Sequence, residues 1–293
     1  MARQIYQAIV DGILVGGVYA LMAVGLTLIF GVLDIINIAQ GILVVLGAYL
    51  SYALSVHLHI DLFLGLLITV PAMFVIGVAI YWVFISRLRG SERTSMTLLA
   101  CYAVALITEG VLYKVFGPGY VSLNAWYTTS SVHLAGFYLP VIDLLAFGLA
   151  AAALAVLYAV LYRTRFGRAV RATMANRTAA ALVGINVSRV AALTFGIGVA
   201  VTAIGGLAFG ATSGGFNPNS GYDLISRLLA IVILGGLGSV GGALLAAMFM
   251  TTAESVVDVW SPNWAVAVFY LALVLVLTIR PAGLLGRAAV RAQ

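Results

Sequence analysis

The chain has 293 residues, of which 63% are hydrophobic and only 8% are charged. A water-soluble domain of this size could not bury so much apolar surface, so the composition excludes a soluble protein and indicates one that is solvated by lipid. The net charge of +6 comes almost wholly from arginines near the ends of apolar runs. That is the positive-inside pattern of membrane proteins, and it makes nucleic-acid binding the less favoured interpretation.

Apolar runs of roughly membrane-spanning length occur along the whole chain. They predict an all-α, polytopic transmembrane helical bundle that forms a single domain over residues 1–293, without a soluble appendage. The predicted segments are 8–30, 35–56, 61–85, 95–116, 140–162, 191–212, 224–253 and 264–280.

Arginine clusters predict which ends of these segments face the cytoplasm. One cluster lies in the loop after the third segment, one in the loop after the fifth and one in the tail. The loop 117–139 is then external, and its aromatic residues are typical of a membrane interface. The residues concerned are Arg87, Arg89, Arg93, Arg280, Arg287 and Arg291, and the external Tyr120, Trp126, Tyr127 and Tyr138.

A glycine-rich stretch interrupts the segment 224–253. Residues 235–242 contain five glycines, and the preceding Leu224–Leu234 would form about 16 Å of helix, or half a bilayer. Parity also requires an even number of crossings between the arginine loop and the tail. Both observations predict a re-entrant hairpin that enters from outside, with its glycine turn deep in the protein.

A second interruption lies near residues 31–41. It is either a full crossing, with the N-terminus outside, or a re-entrant segment, with the N-terminus inside. Interrupted segments in both halves suggest internal pseudo-symmetry and a substrate site near the midplane. The predicted pathway residues are Asp34, Asn37, Gln40, Gly41, Glu109, Gly235, Gly236, Gly238, Ser239 and Gly241.

Charged residues inside apolar segments are functional candidates by default, because a charge at mid-bilayer is costly. Glu109 and Asp34 are the strongest of them. Asp223 and Arg227 lie four residues apart and are interpreted as a pair near the outer interface. Glu254 is interpreted as solvated, and so is the aspartate four residues further on, at position 258.

The 27-residue segment Arg163–Arg189 is the predicted cytoplasmic coupling loop. It contains six arginines and no acid. Asn176 suits the N-cap of a short helix and Gly184 suits the left-handed residue that ends one. Such a two-turn helix would dock on a partner, through residues Asn176, Arg177, Thr178, Ala179, Ala180, Leu182, Gly184, Ile185 and Asn186.

The residues that several kinds of binding and catalysis require are absent from the sequence. The single lysine, Lys114, follows Tyr113, so there is no Gly-Lys-Ser/Thr of an ATP-binding P-loop. The three histidines lie in short polar loops without a Cys pair or HExxH motif, and no metal site is expected. No nucleophile and base stand together for hydrolysis. These absences predict that the chain is not an enzyme and that it binds no cofactor.

An ordered set of motifs spans essentially the whole chain: Asp11–Leu28, Asn37–Gly41 with Leu46–Tyr49, Gly184–Val187 with Arg189, and Gly235–Ser239 with Gly242–Ala243. As a set, these motifs resemble the smaller membrane subunit of the branched-chain amino acid ABC importers. The sequence departs from the family pattern at Gln40 and Ile42, and at Thr178-Ala179-Ala180, where importer coupling loops commonly have Glu-Ala-Ala.

The resemblance implies a bacterial inner-membrane importer. Its partners would be a second, homologous permease, two ATPase subunits that bind the ATP, and a periplasmic or extracellular binding protein. The cargo would be branched-chain amino acids or related amino acids and amides, and the short cytoplasmic helix would be the lever that the ATPases move. Two other functions remain open from the residues: a stand-alone transporter driven by H⁺ or Na⁺ through Glu109 or Asp34, and a channel for a small neutral solute such as urea.

Overall fold

A computed structural model describes residues 2–88, 93–123, 130–134, 137–280 and 282–286. Five residues used to predict the topology lie outside these ranges: Arg89, Trp126, Tyr127, Arg287 and Arg291. The described chain is almost entirely helical, as its composition predicts. Eight of its helices are long and apolar enough to cross a membrane, in agreement with the eight predicted segments.

Eleven α-helices and one β-hairpin make up the described elements. The helices are α1 (Ala2–Leu33), α2 (Gln40–Leu58), α3 (Leu62–Ile80), α4 (Arg93–Phe116), α5 (Val141–Arg163), α6 (Arg165–Ala175), α7 (Arg177–Leu182), α8 (Val187–Thr212), α9 (Ser220–Gly235), α10 (Val240–Asp258) and α11 (Pro262–Ile279). A π-helical turn, Tyr81–Ile85, extends α3. Strands β1 (Ser131–Leu134) and β2 (Phe137–Pro140) pair antiparallel within the predicted external loop.

Helices α1 and α8 form the centre of the bundle and are the most enclosed of the spans. Helix α1 packs most extensively on α10, and α8 packs on α1, α2 and α3. We call the end that carries Arg163–Arg189 the inner end, because the positive-inside pattern assigns it to the cytoplasm. The opposite end, with the β-hairpin, is the outer end.

The N-terminus lies at the outer end, which decides between the two orientations left open by the sequence. The Gln7 side chain donates a hydrogen bond to the backbone oxygen of Tyr138 in β2, at 2.5 Å, and accepts one from the Tyr138 backbone nitrogen at 3.1 Å. At the other end of α1, the Arg177 side chain donates to the backbone oxygen of Leu33 at 3.2 Å. Helix α1 therefore crosses completely from the outer to the inner end.

The chain then turns back into the bundle before α2 begins. Asp34 takes a left-handed conformation at φ 57°, and residues 34–37 are not helical. Gln40, the first residue of α2, donates from its side chain to the backbone oxygen of Gly198, 3.1 Å away in the middle of α8. Helix α2 thus starts inside the bundle and runs to the outer end, where Tyr49 stacks against Phe116 at 4.6 Å.

The same local structure precedes α9, with the opposite direction. The sequence Asn-x-x-Gln-Gly at 37–41 corresponds to Asn-x-x-Ser-Gly at 217–221. In each, the backbone N–H of the fourth residue donates to the carbonyl of the asparagine at 3.1 Å, and a helix follows. Because α2 leaves toward the outer end and α9 toward the inner end, the two form an inverted pair, as in many transporters.

The two helix starts touch through their glycines. A Cβ on Gly41 would lie 2.1 Å from the carbonyl oxygen of Gly221, and a Cβ on Gly221 would lie 3.0 Å from the backbone of Ile42. Only residues without a side chain allow this approach. Residues 37–41 thus share their local structure with 217–221, whereas the sequence suggested the glycine-rich 235–242 as their counterpart.

Helices α9 and α10 form the predicted hairpin, but the depth of its turn was predicted wrongly. Helix α9 has 16 residues, or about 24 Å, instead of the predicted 11 residues, because it begins four residues earlier, at Ser220, and includes Asp223. Its turn reaches the inner end: a Cβ on Gly238 would lie 3.8 Å from Gly31 of α1, and Leu237 is exposed. Four helices, α8 to α11, thus satisfy the parity requirement.

The tail closes over this turn at the inner end. Gly236 has φ 97°, and a Cβ there would lie 2.4 Å from the backbone of Gly286. The backbone nitrogens of Leu284 and Leu285 donate to the last carbonyls of α9, at 2.7 and 3.2 Å. These bonds satisfy helix-end carbonyls that would otherwise lack partners.

Candidate functional site

Helix α7 is the short capped helix that the arginine loop predicts. The Asn176 side chain accepts a hydrogen bond from the backbone nitrogen of Ala179 at 2.9 Å. At the other end, Gly184 has φ 85°; its N–H donates to Ala181 at 3.1 Å, and the N–H of Ile185 donates to Ala180 at 3.0 Å. This pair of bonds is a Schellman motif, which needs a left-handed residue at the glycine position.

One side of α7 is open to solvent. Leu182 and Val183 are 83% and 76% exposed, although both are apolar. Residues Thr178, Ala179, Ala181, Gly184 and Asn186 are exposed as well. Adjacent exposed apolar side chains on a loop rimmed by arginines are typical of a surface that another protein covers.

Two of the predicted coupling residues point elsewhere. Ala180 is only 3% exposed, so it packs α7 against the bundle and is not available for docking. Arg177 is occupied by the carbonyl of Leu33 at the end of α1, where a cation is favourable for the helix dipole. Arg177 therefore links α7 to α1, and Asn186 caps α8 by accepting from the backbone nitrogen of Arg189 at 3.0 Å.

A cavity of about 760 Å³ at the inner end brings several predicted pathway residues beside the coupling helix. It lies between the end of α1, helices α6 and α7, and the α9–α10 turn. The predicted residues that line it are Asp34, Asn176, Arg177, Gly238, Ser239 and Gly241. The structure therefore places Asp34 and the glycine turn at the inner mouth of the bundle and not at its middle. Gly235 and Gly236 are buried behind them.

The other predicted pathway residues meet in the middle of the bundle. The Asn37 side-chain nitrogen donates to Gln40 Oε1 at 3.0 Å, and both side chains are fully buried. The Asn37 Oδ1 atom has no hydrogen-bond partner within the described ranges. A buried, unsatisfied amide oxygen carries an energetic cost of about 1–3 kcal/mol, and such costs are concentrated at functional positions.

Glu109 lies close to this crossing. Its Oε2 atom accepts a hydrogen bond from the Tyr222 hydroxyl at 2.6 Å, joining α4 to the start of α9. The surrounding residues Ile38, Ile42 and Ile225 are apolar and enclose about 20 Å³, enough for roughly one water molecule. Glu109 is thus a hydrogen-bonded carboxyl group within the span Ser95–Phe116, and its role in transport stays a prediction.

Sequence reasoning missed a charged site at the outer end. Arg227 Nη1 lies 2.6 Å from Glu254 Oε2, and the two side chains are only 23% and 17% exposed. Arg227 is thus paired with Glu254 of α10 and not, as predicted, with Asp223. The partners are far apart in sequence, so no helical spacing reveals them; only the rule that a charge in an apolar segment needs a partner could have suggested the pair.

These charges line an outer cavity of about 430 Å³. Helices α1, α8, α9, α10 and α11 all contribute to its walls. Its polar side chains are Tyr19, Ser220, Asp223, Arg227, Thr251, Glu254, Ser255 and Asp258. The Arg227 guanidinium also lies 5.3 Å from the centre of the Phe269 ring, a cation–π distance that holds it in place. In the described part of the chain, no group of three or more His, Cys, Asp or Glu side chains is placed so that it could hold a metal ion.

A multi-pass helical bundle with an inverted pair of broken helices, buried polar groups at their crossing and an exposed capped loop helix is a membrane transport protein. Comparison with known sequences gives the family. Residues 8–277 match the family described as "Branched-chain amino acid transport system / permease component", and the chain belongs to that family. It is therefore the permease component of a transport system.

Two individual relatives match the chain along nearly its full length. The chain is 30% identical over 298 residues to the high-affinity branched-chain amino acid transport system permease protein LivH of Salmonella typhimurium, covering 96% of this chain and 95% of that protein. It is 29% identical over 297 residues to the corresponding permease protein BraD of Pseudomonas aeruginosa. A shorter match, 37% over 101 residues, is to the xylose transport system permease protein XylH of Escherichia coli. No solved structure matches the chain.

Proposed function

We propose that this permease carries branched-chain amino acids across a bacterial inner membrane, using ATP that partner subunits bind and hydrolyse. The relatives similar over their full length are named for branched-chain amino acid transport, whereas the xylose permease match covers only 32% of this chain. The partners would be a second permease, two ATP-binding subunits and an external binding protein. This chain itself would hold no cofactor.

The observation that carries the proposal is the exposed, capped helix α7. A permease without a nucleotide site must obtain free energy through contact with a subunit that has one. Helix α7 offers two exposed apolar side chains, Leu182 and Val183, on a rigid support. Its lack of acidic residues and the arginines around it favour an acidic groove on the ATPase, by charge complementarity.

Force on α7 has a direct route into the bundle. Arg177 joins α7 to the last turn of α1, so movement of α7 would shift α1. Helix α1 borders the crossing at Gly41, because its Gly25 lies beside the Gln40 side chain. We assign the predicted pathway residues to two levels: Asn37, Gln40, Gly41 and Glu109 in the middle, and Asp34 with the glycine turn at the inner mouth.

Reconstitution tests this function. Proteoliposomes containing the chain, the second permease and both ATP-binding subunits should take up leucine, isoleucine or valine only with ATP and the binding protein. Leucine or urea flux through the chain alone, without ATP, would contradict the proposal and favour a secondary transporter or a channel.

A contact-specific variant sharpens the test. Leu182→Asp should abolish ATP-driven uptake and co-purification of the ATPase, because it places a charge in an apolar contact. Leu58→Asp is the matched control, since Leu58 is also an exposed leucine, at 60%, but at the opposite end of the bundle. Equal loss in both variants would indicate a general folding defect and not a docking site at α7.

A further inference from the structure

The outer cavity has the size and the charges of a site for a small zwitterion. Its volume of about 430 Å³ lies within the roughly 300–1,000 Å³ typical of small-molecule sites. It presents one guanidinium and three carboxylates within a single space. Charges of both signs in a cavity between membrane helices are costly to maintain, so they indicate a ligand that carries both signs itself.

The Arg227 guanidinium is positioned to bind the carboxylate of a ligand. Arg227 is fixed on one side by Glu254, at 2.6 Å, and on another by the Phe269 ring, at 5.3 Å. An arginine has five N–H donors in a planar fork, and one carboxylate oxygen of Glu254 does not use them all. The remaining donors suit a carboxylate group, which arginine binds well.

Positive and apolar parts of the ligand also have counterparts. Asp223 lies one helical turn before Arg227 on the same face of α9 and lines the same cavity. Its carboxylate is not paired with Arg227, so it suits an ammonium group. Apolar walls from α1, α8, α9 and α11 complete the site, through Val15, Phe209, Leu224 and Val266.

We propose that the outer cavity binds the transported amino acid as a zwitterion, with its carboxylate at Arg227, its ammonium at Asp223 and its side chain on the apolar walls. Glu254 is a positioning residue, because it acts through Arg227. The inference rests on the proposed function and names the place at which the permease binds its cargo.

Cysteine protection can test this site in the complete transporter. The only native cysteine, Cys101, is buried and would be replaced by alanine. Ser255→Cys then places one thiol in the cavity, and Val132→Cys, on an exposed strand residue at 45%, is the control position. The rate of modification by a small thiol reagent is measured in proteoliposomes with leucine, with 3-methylbutylamine, which lacks the carboxylate, and with 4-methylpentanoate, which lacks the ammonium.

Leucine should slow modification at Ser255→Cys severalfold, whereas neither analogue should do so and Val132→Cys should be unaffected. Asp223→Asn and Arg227→Lys should each weaken the leucine protection by about tenfold, because a charge-assisted contact is lost or misaligned. Asp61→Asn, a carboxylate at the outer end but outside the cavity, should not change it.

Two results would overturn the inference: equal protection by leucine and either analogue, or unchanged protection in Asp223→Asn. ATP-driven leucine uptake is measured on the same proteoliposomes before labelling. Uptake without protection refutes the cavity site while leaving the proposed function intact, and absence of uptake in the unsubstituted complex refutes the proposed function itself.

Discussion

Replacing Gly184 should weaken ATPase binding in proportion to the cost of its backbone conformation. The residue has φ 85°, and a Cβ there would meet nothing within 4 Å, so a substitution acts through the backbone alone. Alanine in the left-handed region costs about 1–2 kcal/mol. Proline cannot adopt this φ and removes the N–H that bonds to Ala181, for a cost of about 3 kcal/mol or more.

Helix α7 has only six residues, so its population depends on its caps. If docking requires the formed helix, the apparent dissociation constant rises by the same factor by which the population of the formed helix falls. Gly184→Ala should then weaken ATPase affinity by up to roughly tenfold and Gly184→Pro by roughly a hundredfold. Gly184→Asn is the matched control, because asparagine tolerates the left-handed region, and its affinity should stay near that of the wild type.

The assay is a titration of purified ATPase against the permease pair in nanodiscs. The order of affinity should be glycine, asparagine, alanine, proline. Wild-type affinity in Gly184→Pro would refute the idea that the ATPase recognises α7 as a capped helix. Equal loss in the asparagine and alanine variants would show that a side chain at this position, and not its conformation, interferes.

Three further predictions follow from the packing and orientation of the helices. Gly41→Leu should lower the melting temperature of the purified protein by many degrees, because any Cβ there meets backbone at 2.1 Å, whereas Gly148→Ala, with nothing within 4 Å, should leave it unchanged. Arg227→Met should lower the free energy of unfolding by about 1–3 kcal/mol, because it leaves the half-enclosed carboxylate of Glu254 unpaired. Adding Glu254→Met should restore part of this loss, as measured by thermal unfolding, and no recovery would contradict the pairing. Arg3→Cys should react with an impermeant reagent from outside intact cells, and labelling only from the cytoplasmic side would contradict the orientation.

Local signals in the sequence were sufficient to predict α7 and both of its ends. An N-cap asparagine and a terminating glycine act on their own neighbours, and both caps are present as predicted. The roles of the residues between them were not predictable, because they depend on the rest of the fold. Arg177 bonds to a carbonyl in α1, and Ala180 is buried against the bundle.

The depth of the α9–α10 turn required knowledge of a distant partner. The predicted helix began at Leu224, directly after Asp223, whereas α9 begins at Ser220 and is longer than half a bilayer. Arg227 within it is neutralised by Glu254 of α10, a contact that no local signal in the sequence indicates. The inverted pair, by contrast, was visible in the sequence as Asn-x-x-Gln-Gly and Asn-x-x-Ser-Gly, but the abundant glycines at 235–242 resembled a break more strongly.

Crosslinking from α7 tests the central claim most directly. A photoreactive amino acid at Leu182, in the fully assembled and transport-active complex, should crosslink to an ATP-binding subunit, and the same group at Leu58 should not. If the complex takes up leucine on ATP while Leu182 yields no such crosslink, or reacts with reagents outside the cell, α7 is not where the energy of ATP hydrolysis enters this permease.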